Sequence, residues 1–186
     1  MPAHPLSHAL SVARLIDGLT GWLGRLLAWL TLLMVLMTGA VVLLRYAFGI
    51  GATALQELVL YAHALVFMGA AAWALQRDAH VRVDIFFRRM TARRQALVDL
   101  TGGLFLLLPV CLFLAWNCWD YVAVSWARNE RSADAGGLPW VYLQKSIILL
   151  LVGTLLLQAV AQIIKTLCVL NGSLPSHLPA QHEEHL

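Results

Sequence analysis

Four long apolar runs, each interrupted by only a few polar residues, set the frame of this sequence. Leu26 to Leu44 holds nineteen residues without a charge, and so does Leu58 to Gln76. As helices rising about 1.5 Å per residue, each covers roughly the 30 Å hydrocarbon core of a bilayer. A third run, from Ala92 to about Arg128, has no charge between Leu100 and Trp119. As one helix it would extend about 54 Å, so it must tilt or project, and Pro109 offers a place to kink. The fourth runs from Val141 to about Ile164. The pattern predicts an all-α integral membrane fold with four transmembrane helices, near residues 22–44, 54–76, 95–127 and 141–164, in one domain over 1–170.

The segments between the runs add detail. In residues 6–27, Ser7, His8, Ser11, Arg14, Gly18, Gly21 and Arg25 recur every three or four positions among Leu10, Val12, Leu15, Ile16, Leu19, Leu23 and Leu26. That is an N-terminal amphipathic helix, either lying in the headgroup plane or running straight into the first span. No A-x-A-like site follows it, so it does not read as a cleaved signal peptide. Gly49 and Gly51 break the chain between the first two spans, which makes these spans antiparallel neighbours. Val83 to Met90 mixes Val83, Ile85, Phe86, Phe87 and Met90 with Asp84, Arg88 and Arg89, as a short interfacial helix on the cytoplasmic face would, with an extended basic loop as the alternative. The polar, Pro-containing segment from Asn171 to Leu186 reads as a disordered cytoplasmic tail.

Composition and charge narrow the class. The chain has 186 residues, 60% hydrophobic and 12% charged, with a mean hydropathy of +0.74. Soluble domains carry about 25% charge. The net charge of +3 resides in arginines beside apolar spans, which argues for membrane orientation and against nucleic-acid binding. Placing both termini inside (N-in/C-in) puts Arg14, Arg25, Arg77, Arg82, Arg88, Arg89, Arg93, Arg94 and Lys165 on the cytoplasmic side. Arg45, Arg128, Arg131 and Lys145 then remain outside. In this arrangement Asp99 and Asp120 fall near the two interfaces. Trp116, Trp119, Tyr121 and Trp126 serve either as interfacial anchors or as a partner contact. Cys111, Cys118 and Cys168 form no C-x-x-C pair and read as structural thiols.

Few residues carry candidate chemistry. His63 lies within the second span, and a haem ligand or proton relay is one reading of it. No second histidine lies at matching depth, so a hydrogen bond to a neighbouring helix is the stronger reading. Gln158 and Gln162 share one face of the fourth helix and suit interhelical hydrogen bonds. Gly69, Ala70, Ala71 and Ala72 permit close helix approach. Arg45 and Glu57 lie at facing ends of the first two spans and either approach each other at the membrane edge or snorkel separately to water; the pair is the expectation carried forward. No nucleotide loop, nucleophile elbow or metal-ligand cluster is present, so neither an enzyme nor a bound cofactor or metal is expected.

Arg45-Tyr46 closes the first span, Gln56-Glu57 opens the second, and Gly69-Ala70-Ala71 lies within it. Arg77-Asp78-Ala79-His80-Val81-Arg82-Val83-Asp84 follows, and later Gly136-Gly137-Leu138-Pro139 precedes Lys145-Ser146. With these features the chain resembles the small membrane subunit of the tripartite ATP-independent periplasmic (TRAP) transporters over nearly its whole length. The resemblance implies a multi-pass protein of the bacterial inner membrane that scaffolds a large membrane subunit. That large subunit binds sodium and substrate, and a periplasmic protein delivers the substrate, usually an organic acid. It implies no substrate site here; Arg45, Glu57, His63, Gly69, His80, Arg82 and Asp84 are structural or partner-contact candidates. The competing reading is a haem- or quinone-binding membrane anchor of a respiratory oxidoreductase.

Overall fold

The computed structural model describes residues 5–80, 87 and 89–172. Its elements are α1 (Pro5–Phe48), α2 (Thr53–Gly69), α3 (Ala71–Gln76), α4 (Ala92–Gly102), a π-helical segment (Gly103–Leu107), α5 (Leu108–Ala127) and α6 (Val141–Leu170). They contain four stretches long and apolar enough to cross a membrane, at 8–48, 53–76, 92–127 and 141–170. No strand occurs among the described residues. The interfacial helix expected at Val83–Met90 falls largely outside the described residues, and so does the tail beyond Gly172.

α1 is one unbroken helix of 44 residues, so the amphipathic stretch and the first span are continuous. Its buried positions are 13, 16, 20, 21, 24 and 27, and apart from 21 they follow one another at steps of three or four, the spacing of a face turned to its neighbours. No residue of α1 beyond Leu27 is buried. Its N-terminal half is a packing helix, and its C-terminal half is left open. Gly49, with φ +66°, ends the helix, and the Ile50 N–H bonds the Leu44 carbonyl at 3.0 Å.

α2 and α3 read as two helices only by a short irregularity. The ladder continues through it, from the Ala70 N–H to Val66 O (3.0 Å) and from the Ala74 N–H to Ala70 O (2.9 Å). The small residues here admit α1. A Cβ on Gly69 would lie 2.8 Å from Leu27 Cδ1, and one on Gly24 would overlap the indole of Trp73. Close helix approach was the expected role of Gly69, and Gly24 is its tighter counterpart on α1.

Instead of a simple kink at Pro109, the ladder widens to π geometry over Gly103–Leu107. Proline lacks the N–H that an α-helix needs, and its ring crowds the carbonyl four residues back, here Phe105. A local i→i+5 register accommodates both. α5 ends as its carbonyls are capped by a turn with Asn129 at φ 46°, where the Glu130 N–H reaches Ser125 O at 3.1 Å.

α6 is the spine. It packs against every other helix, whereas α5 packs extensively on α6 and at most slightly on α1 or α2. In its most apolar window 28% of residues are buried inside the chain, against 6% for α1 and for the 92–127 stretch. Val152, Gln158, Ala159, Ala161 and Cys168 are its buried residues, and Ala161 joins Ala13 and Ile16 in a small core beside Ile164.

Gly24→Ala should therefore lower the stability of the detergent-solubilised protein by about 1–3 kcal/mol, the cost of overpacking. Gly18→Ala, whose Cβ meets nothing within 4 Å, should change it by no more than about 0.5 kcal/mol. Thermal unfolding of the two variants side by side checks this.

Candidate functional site: two polar clasps and the open helix faces

At the end of the bundle where α1 begins and α6 ends, Asp17 of α1 gathers side chains from two other elements. Its carboxylate accepts a hydrogen bond from Gln158 Nε2 (2.9 Å) and an ion pair from Lys165 Nζ (3.1 Å to each oxygen). Its backbone carbonyl accepts from Gln76 Nε2 at 2.9 Å, which adds α3 to the cluster. Gln158 is fully buried, while Asp17 and Lys165 retain 23% and 19% side-chain exposure. Such a clasp is specific because each apolar surface around it could slide, whereas a carboxylate removed from water must find its donors. Gln158 thus makes the interhelical bond expected of it. Asp17 escaped the sequence reading; the available signal was a lone acid three residues after Arg14, on a helix whose far neighbour ends in a lone lysine.

At the opposite end the organising acid is Glu57. Its carboxylate accepts the Ser132 hydroxyl and, at 2.6 Å, the Leu138 N–H, so the 129–139 loop is pinned onto the first turns of α2. A Cβ on Gly137 would stand 2.6 Å from Glu57 Oε1, so glycine is what lets the loop backbone close over the carboxylate. The same loop is tied to α6 by the Glu130–Lys145 ion pair, and Lys145 also lies 4.2 Å from the centre of the Tyr121 ring. Trp126 Nε1 donates to Ser146 Oγ at 2.8 Å, holding the end of α5 against the start of α6. The Lys145 ammonium beside Glu130 holds that carboxyl below its ordinary value of 4.5.

The expected approach of Arg45 to Glu57 is corrected by this arrangement. Among the described residues no ion pair joins them; Arg45 is exposed in the last turn of α1. Glu57 instead finds two neutral donors in a loop 75 and 81 positions away in sequence. The remaining candidates are scattered along the bundle. His63 is exposed on α2 and stacks on Phe67 with centroids 6.3 Å apart. Gly69 is buried against Leu27. His80 Nε2 lies 3.3 Å from the Ala71 carbonyl oxygen, close to the end of α3. Arg82 and Asp84 lie outside the described residues. Among the described residues no group of three His, Cys, Asp or Glu converges as metal ligands.

What remains is surface. Trp22, Trp29, Tyr46 and Phe48 on α1 are exposed, as are Phe105, Phe113, Trp116 and Trp119 on the 92–127 stretch. The chain spends its polar groups at two ends and leaves apolar faces uncovered between them.

Two predictions follow from the clasps. Asp17→Asn and Lys165→Met should each destabilise the protein by roughly 1–3 kcal/mol, with the double variant costing less than the sum, as a double-mutant cycle on unfolding will read. Glu130 has a lowered pKa in the folded protein, so its contribution is fully present above the unfolded value of 4.5 and is lost as pH falls through the lower folded value. Protease resistance of the 129–139 loop should hold from neutral pH to about 5 and decline below 4.5, and Glu130→Gln should flatten that dependence.

The family model described as "Tripartite ATP-independent periplasmic transporters, DctQ component" matches residues 34–169. No curated protein and no solved structure matches the chain. The matched stretch takes in the C-terminal part of α1 and almost everything after it, including Glu57, the 129–139 loop and α6 to within one residue of its end. Matched over most of its length, and with four apolar helices of membrane-spanning length, the chain belongs to the DctQ family, the small membrane component of the TRAP transporters, a transporter and not an enzyme family.

Proposed function

We propose that this chain is the small scaffold subunit of a sodium-coupled TRAP transporter. It pairs with the large membrane subunit for uptake of an organic acid delivered by a periplasmic binding protein. The large subunit binds substrate and sodium, and this chain transports nothing alone. The observation that carries the reading is the disposition of polar groups: Asp17, Gln158 and Lys165 engage one another, and Glu57 engages its own loop. A self-sufficient carrier needs polar groups and broken helices near the midplane to hold its cargo. Here the hydrogen-bond ladder runs on through Ala70, and the open faces are apolar.

The arginine distribution supports an inner-membrane orientation with both termini cytoplasmic, the 129–139 loop periplasmic, and residues 1–170 acting as one unit. After replacement of Cys111, Cys118 and Cys168, an impermeant thiol reagent applied to intact cells should label Ala133→Cys and leave Arg93→Cys unlabelled. The reverse pattern would overturn the orientation. For the function itself, liposomes with an inward sodium gradient should accumulate the organic acid only when this chain, the large subunit and the binding protein are all present. Uptake by this chain alone, or undiminished uptake without it, would refute the scaffold role.

A further inference from the structure

We propose that the notch between α1 and the end of α3 seats the phosphate of an anionic phospholipid, held by Arg25 and Arg77. The sequence itself sets their depth. Arg25 immediately precedes the charge-free run 26–44, and Arg77 immediately follows the charge-free run 58–76. Both therefore stand where two antiparallel spans meet the headgroup layer. The fold then gathers them. A Cβ on Gly21 would lie 3.8 Å from Arg25 Nη1 and 3.7 Å from Gln76 Oε1, so the Arg25 guanidinium reaches the residue next to Arg77. The Trp73 ring packs on Gly24, the neighbour of Arg25, and carries the Arg77 guanidinium over its face, 5.2 Å from the ring centre.

Neither arginine is neutralised. Both are exposed, and among the described residues neither makes a hydrogen bond or an ion pair. Other polar groups at this end of the bundle are taken. Arg14 donates to Ser11 and to the Leu10 carbonyl, while the Asp17 carboxylate is held by Lys165 and Gln158. Two guanidiniums about one helix contact repel unless an anion lies between them, and phosphate accepts from both in the geometry their forks present.

The surroundings match the rest of a lipid. Trp22, Leu26 and Trp29 follow one another at steps of four and three on α1, and each is more than half exposed. An acyl chain lies along that row, with the Trp22 indole at headgroup level. A zwitterionic headgroup would set an ammonium beside the two guanidiniums, whereas a glycerol headgroup adds no charge. The class is thus a phospholipid of net negative charge, with phosphatidylglycerol as its simplest member. The inference needs only that the chain spans a membrane, so it stands apart from the scaffold reading.

Native mass spectrometry of the full chain tests it by counting the lipid retained from phosphatidylcholine nanodiscs that contain phosphatidylglycerol and phosphatidylethanolamine in equal proportion. Phosphatidylglycerol should be retained in preference to both, and less so as salt is added. Arg25→Gln and Arg77→Gln should each lower its affinity by about fivefold, and the two together by about 25-fold. Lysine at both positions should keep part of it, and Arg45→Gln, at the other end of α1, should leave it unchanged. Equal retention of the three lipids, or undiminished phosphatidylglycerol on a folded double variant, would overturn the inference. Displacement of the lipid by soluble glycerol phosphate would overturn it too, by showing a site for free phosphate. Should the double variant fail to fold, the lipid preference and salt dependence of the unsubstituted chain decide. In the complex purified with the large subunit the lipid should stay bound; its loss there would assign the arginines to a protein partner and overturn the lipid site. If no such complex forms, the scaffold reading falls while the result on the chain stands.

Discussion

A carboxylate withdrawn from water must be met by donors at fixed positions, whereas two greasy helices can slide past one another at little cost. Asp17 imposes that constraint here. By taking Gln158 and Lys165 from α6 and Gln76 from the end of α3, it fixes the height and rotation of three elements at once. The small residues around it follow from the same requirement. Gly24 against Trp73, Gly69 against Leu27, and Ala13 against Ala161 let the backbones come near enough for the polar atoms to meet. Without that approach, Gln158 would be a fully buried amide with no donor or acceptor to answer it.

The other end of the bundle solves the same problem with a loop. Glu57 is held by a hydroxyl and a backbone N–H, and Glu130 by Lys145, so the 129–139 segment becomes a lid tying α2 to the start of α6. Between the two clasps the chain has little core of its own. α6 is the one helix covered on several sides; the C-terminal half of α1 and most of α5 face outward with large apolar side chains. In water such surface would drive aggregation. In a membrane such surface is solvated by lipid or covered by the apolar flank of a neighbouring helix.

The helices were legible in the sequence because hydrocarbon thickness sets a minimum length for uninterrupted apolar runs, and the runs at 26–44 and 58–76 meet it unambiguously. The bond from Gln158 was legible for a related reason, since an amide deep in a span must find a partner. Asp17 was not, because an acid in an amphipathic stretch looks solvated until the neighbouring helix is placed beside it. The Arg45–Glu57 expectation failed through proximity in sequence: across the short turn, arginine looked like the natural partner, whereas the folded loop brings the Ser132 hydroxyl and the Leu138 N–H to the carboxylate. The π segment before Pro109 was foreseen as a kink without its form.

If this account is right, the chain is rigid along α6 and its clasps and incomplete along the open faces of α1 and α5. Amide hydrogen exchange, measured on the chain alone in detergent and again in complex with the large subunit, bears on this most directly. The account predicts strong protection of α6 and the N-terminal half of α1 in both states, with the C-terminal half of α1 or α5 gaining protection only in the complex. Equal protection of both segments in the two states would contradict it.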